Sequence, residues 1–99
     1  MSNITKNLFT IIKKSKDNAI VRLSNKEHPI FKAHFPGQPI LPGFIHLEII
    51  SKLFDYKINY IKKVKFIKPI QPGSTIIYKK LKRKIVAIVD NHEVADFVL

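Results

Sequence analysis

Apolar and polar positions first alternate in two short runs. Residues 7–14 (NLFTIIKK) and 19–24 (AIVRLS) each read as a strand, joined by the polar turn Ser15-Lys16-Asp17-Asn18. Residues 25–42 lose all period. Pro29, Pro36, Pro39 and Pro42, with Gly37, predict a stiff extended loop without regular helix, because each proline fixes φ and removes a donor. At Gly43 the spacing turns helical. Phe44, Ile45, Leu47, Ile49, Ile50, Leu53 and Phe54 cover most of a helix running to about Asp55, and Glu48, Ser51, Lys52 and Asp55 form one narrow polar stripe. A helix this apolar must be wrapped by other structure.

Alternation returns from Ile58 to Ile67, with Ile58, Tyr60, Val64 and Phe66 on one face and lysines mostly on the other. Pro72-Gly73 suits the centre of a type II turn. Ser74 to Leu81 and Ile85 to Val89 follow, the second an unbroken apolar run that fits a central strand. Asp90-Asn91-His92 turns the chain into Val94 to Leu99. Strands on both sides of a single buried helix predict an α+β fold, an antiparallel sheet curled around that helix, in one domain over 1–99.

Composition adds limits. A chain of 99 residues buries roughly two-thirds of its unfolded surface, a thin margin that a shared interface would widen. A hydrophobic content of 45% argues against disorder. The absence of cysteine excludes disulfides, thiol catalysis and cysteine-based zinc sites. No stretch approaches the roughly 20 apolar residues that span a bilayer, and Leu8, Phe9, Ile11 and Ile12 are not followed by a signal-peptide cleavage site. A cytoplasmic protein without membrane contact is expected.

The net charge of +11 comes from sixteen lysines and two arginines against seven acids. Such a surplus steers the protein toward an acidic partner. Lysine in place of arginine disfavours base readout, so nucleic acid is not the expected partner. The four histidines lack metal-ligand spacing, and no nucleotide or nucleophile-elbow motif occurs. Neither metal nor cofactor is expected. His46 lies on the apolar helix face as a core histidine, while His28 and His92 read as turn residues.

The segment that carries chemistry is His34-Phe-Pro-Gly-Gln-Pro-Ile-Leu-Pro-Gly43-Phe-Ile-His-Leu-Glu48. It resembles the H-F-P-G-x-P-x-x-P-G-x-x-x-x-E motif of the β-hydroxyacyl-acyl carrier protein dehydratases. Residues 28–34 (HPIFKAH), 64–73 (VKFIKPIQPG) and the closing VDNHEVADFVL are similar to other parts of that family, in the same order. The resemblance covers about two-thirds of the chain. It implies a hot-dog fold and a homodimer or higher homo-oligomer with active sites at the subunit interface. It also implies dehydration of a 3-hydroxyacyl thioester, on acyl carrier protein or CoA, to the trans-2-enoyl thioester.

Carried over by the motif, His34 takes the α-proton and Glu48 protonates the leaving β-hydroxyl. Gly43 offers its backbone N–H to the thioester carbonyl, and Phe35 and Phe44 contact substrate. These residue types suit the task. Imidazole titrates near ambient pH. A protonated carboxyl supplies the leaving group's proton. The first N–H groups of a helix face developing negative charge.

Lys52 stands where the family usually has glutamine, and a cation one turn from Glu48 favours the ionised carboxylate. The chain is also shorter than housekeeping members, with less wall for an acyl tunnel. Two further readings therefore stay open beside dehydration. One is an acyl-thioesterase using the carboxylate to activate water. The other is a catalytically impaired hot-dog subunit that binds acyl carrier protein.

Overall fold

The computed structural model describes residues 5–33, 37–55 and 61–98. Six strands form one antiparallel sheet: β1 (Phe9–Lys14), β2 (Asn18–Leu23), β3 (Lys63–Phe66), β4 (Thr75–Lys80), β5 (Lys84–Val89) and β6 (His92–Val98), in the order β1-β2-β4-β5-β6-β3. The sheet is open, with β1 and β3 at its edges. The apolar run of β5 lies between β4 and β6, where a two-sided strand belongs.

The tight turns follow from local chemistry. Asp90 and Asn91, at φ 52° and 65°, form the two-residue loop between β5 and β6. Both central residues of a type I′ turn need positive φ, which Asp and Asn tolerate. Gly73 sits at φ 77°, and the Ser74 N–H donates to the Gln71 carbonyl, so Pro72-Gly73 is the type II turn expected.

One expectation fails. Residues 25–42 are not wholly extended: a single helical turn, α1 (Pro29–Ala33), forms inside them. Pro29 occupies the first helical position, where no partner is lost. His28 caps the turn, its Nδ1 accepting from the Ile30 N–H at 3.0 Å and its Nε2 donating to the Lys6 carbonyl at 2.7 Å. Proline count alone hides this, because a proline at the start of a helix does not oppose it.

The long helix α2 (Gly43–Leu53) beds on one face of the sheet. Ile45, His46, Ile49, Ile50 and Leu53 are buried and join Val21, Ile76, Tyr78, Ile85, Ala87, Ala95 and Phe97 in one core. Strand register explains how the helix fits. Ala19 of β2 pairs with Tyr78 of β4, Tyr78 with Ala87 of β5, Ala87 with Ala95 of β6, and Ala95 with Phe66 of β3. Three alanines thus lie in one row across the sheet. All three are buried in the same core as Ile45, Ile49, Ile50 and Leu53 of α2. This is the hot-dog arrangement: a curled antiparallel sheet carrying one central helix.

The outward face of α2 is less covered than its composition suggests. Phe44 is 56% exposed, and Leu47, Glu48 and Ser51 are half-buried. The chain's own sheet therefore wraps one side of the helix and leaves apolar surface on the other. Among the described residues, no helix is long and apolar enough to cross a membrane.

Candidate active site

The chain entering α2 and the Pro72-Gly73 turn near it are tied down by backbone. The Leu41 N–H donates to the Ile70 carbonyl at 2.7 Å, and the Gly73 N–H to the Ser24 carbonyl at 2.8 Å. Pro42, extended at φ −61° and ψ 139°, is the N-cap of α2 and accepts from the Ile45 N–H at 3.0 Å. Gly43 thereby becomes the first helical residue. Its N–H has no partner among the described residues, as the first helical donors do by geometry.

Packing also accounts for glycine at this place. A Cβ on Gly43 would stand 2.5 Å from the Phe66 ring. The missing side chain makes room for that ring. Phe66 also stacks on His46, with centroids 6.2 Å apart and planes 23° apart, and meets Phe97 edge-on at 6.0 Å.

His46 is buried to 3% exposure, and its Nδ1 lies 2.7 Å from the Tyr78 hydroxyl. Burial pulls its pKa down to about 4 and pushes the Tyr78 phenol up. Both groups are neutral at pH 7. The ring lines a cavity of about 290 Å³ together with Ile40, Leu41, Gly43, Phe66 and Ile70. The expected core histidine is present, and it also lines a cavity.

Glu48 occupies the opposite side of α2. At 3.6 residues per turn it stands about 160° around the axis from His46 and about 140° from Gly43. It shares the outward stripe with Phe44 and Ser51. Lys52 is exposed, and among the described residues it makes no ion pair with Glu48. His34 and Phe35 lie outside the described residues, as do Ile58 and Tyr60 of the alternating run. Among the described residues, no three His, Asp or Glu side chains gather as a metal site requires. The His46–Tyr78 pair is the feature the sequence did not single out. Its signal was a histidine one turn after Gly43 and a tyrosine on the inward positions of β4.

The sheet, the helix laid on it and the motif entering that helix define a dehydratase-type hot-dog protein. The chain belongs to the ApeI-like dehydratase family, whose model matches residues 11–92. A 3-hydroxyacyl-[acyl-carrier-protein] dehydratase FabZ of Fusobacterium nucleatum is 34% identical over 84 residues, covering 70% of this chain and 60% of that protein. The FabZ of Syntrophobacter fumaroxidans is 35% identical over 76 residues, 61% of this chain and 52% of that one. The chain thus spans about 60% or less of the length of these relatives. Among solved structures, a chain of the dehydratase heterocomplex ApeI:P of Xenorhabdus doucetiae superposes with TM-score 0.68 at 23% identity, over 90% of this chain and 93% of that one. The PaaI protein of E. coli, from a phenylacetic acid degradation operon, gives 0.62 at 17% identity, over 95% and 82%. At these identities the shared feature is the fold.

Proposed function

We propose that the protein dehydrates a 3-hydroxyacyl thioester to the trans-2-enoyl thioester. The observation that carries this reading is Glu48: a half-buried carboxyl on the uncovered face of α2, unpaired with Lys52, at the motif position of the acid. His34 removes the α-proton, and the freed electron pair forms the Cα–Cβ double bond. The β C–O bond breaks as Glu48 gives its proton to the oxygen, and water leaves. Charge that gathers on the thioester oxygen in between meets the Gly43 N–H. Phe35 and Phe44 flank the acyl group.

A second copy of the chain completes the site. Phe44 and Leu47 leave apolar surface beside Glu48, and β3 lies at the edge of the sheet with no strand beyond it among the described residues. Both features suit a like partner, which would bring its own His34 to the carboxyl. The +11 charge supports an acidic carrier protein as the donor of the acyl group, reached by long-range steering.

The test is hydration of a short trans-2-enoyl thioester, with product analysis. Wild-type protein forms the 3-hydroxyacyl thioester. His34→Ala and Glu48→Gln each lower the rate by about 10²–10⁴-fold, the usual contribution of one acid or base. Release of the free acid instead identifies a thioesterase. Carrier binding without turnover identifies a non-enzymatic subunit.

A further inference from the structure

The cavity beside Gly43 is lined by two polar side chains, the buried His46 and the exposed Lys68, and dehydration uses neither. His46 has two ring nitrogens, and the structure assigns them different roles. The Tyr78 hydroxyl is fully enclosed and has no acceptor among the described residues other than His46 Nδ1, at 2.7 Å. A buried hydroxyl that kept its proton from any acceptor would carry the cost of an unmade bond. Tyr78 therefore donates, Nδ1 accepts, and the ring proton sits on Nε2. Stacking on Phe66 and tilted contact with Phe97, at 5.3 Å, hold the ring plane. Nε2 has no partner among the described residues, and the ring lines the cavity.

The result is one fixed, buried N–H donor, on a side chain 3% exposed, in a cavity walled by Ile40, Leu41, Phe66 and Ile70, with the exposed Lys68 also in the lining. The donor stands on the Gly43 side of α2, about 160° around the axis from Glu48 of the same chain. We propose that His46 determines substrate specificity, its Nε2–H binding an acceptor oxygen carried along the acyl chain, so that the preferred substrates are oxygen-substituted acyl thioesters. An unsubstituted alkyl chain entering the cavity would leave the donor unmet, and sites built around a hydrogen bond reject analogues that lack the partner. Tyr78 is a positioning residue, acting through the tautomer it fixes.

This inference rests on the acyl-thioester reading of the site, and binding separates the two. S-alkyl pantetheine thioethers of one length, either plain or bearing a ketone or ether oxygen at successive chain positions, are titrated calorimetrically against the wild-type protein. At least one oxygenated chain binds tenfold or more tighter than the plain chain. His46→Leu removes that preference, and Tyr78→Phe reduces it. The double variant His46→Leu/Tyr78→Phe, which leaves no buried hydroxyl unpaired, provides a folded comparison if the single variant fails. Equal binding of plain and oxygenated chains by wild type overturns the proposal, and so does a preference that survives the double variant. Enoyl hydration without any such preference keeps the dehydratase reading and rejects this one. Selective binding with no turnover does the reverse.

Discussion

The two faces of α2 are made from neighbouring residues and have opposite characters. The inward face, Ile45, His46, Ile49, Ile50 and Leu53, is buried against the alanine row and the aromatic cluster. The outward face, Phe44, Leu47, Glu48, Ser51 and Lys52, is half-buried or exposed. Eleven residues of helix thus hold a structural side that the chain satisfies by itself and a chemical side that it does not. The candidate acid stands on the second. Fold and proposed chemistry are therefore separable by mutation, and substitutions on the two faces should fail in different ways.

The largest expected effect is on the inward face. Ile49→Ala removes a fully enclosed side chain and should lower stability by about 2–5 kcal/mol in urea unfolding. Lys52→Ala, about one turn away and exposed, should change it by no more than about 0.5 kcal/mol. Comparable losses at both positions would break the distinction between the faces.

The second effect is pH dependence from the same inward face. His46 has its pKa lowered to about 4 by burial, against about 6.5 in the unfolded chain. The unfolded state binds the proton more readily, so stability is full above pH 6.5 and falls as pH drops toward 4. The loss is on the order of 3 kcal/mol across that window. Urea titrations between pH 4 and 7 measure it, and His46→Leu should flatten this part of the profile.

The third effect lies where the faces meet. Gly43→Ala places a methyl against the far end of the Phe66 ring, which is 55% exposed and can give way, so the cost should stay near the low end of overpacking, about 1 kcal/mol. Adding Phe66→Leu should recover most of it. A loss that Phe66→Leu does not relieve would mean that helix entry, and not the ring, requires glycine.

Much of the scaffold could be read locally. Alternation in AIVRL gave β2, the unbroken IVAIV gave the interior strand β5, and Pro72-Gly73 gave its turn, because each depends on residues a few positions apart. What escaped depends on pairing across the chain. Nothing near Ala19, Ala87 or Ala95 announces that they align, and Tyr78 meets His46 across 32 positions. The packing of Gly43 against Phe66 was hidden for the same reason, since β3 is brought there through its pairing with β6. Helix α1 was missed for a local reason, the cap by His28. Of the candidate site, Glu48, Gly43 and Phe44 fell on the predicted helix at the predicted phase. The motif supplied their roles, and helical geometry supplied only their directions.

The methyl groups of Ala19, Ala87 and Ala95 have a consequence for the opposite side of the molecule. They share one buried core with the inward face of α2, where small side chains let a helix pack close to a sheet. A valine in their place would lift the helix bodily and carry Glu48 outward with it, displacing a carboxyl that none of the three touches. Reach toward a second copy is in that sense adjusted from behind, by the smallest side chains in the core.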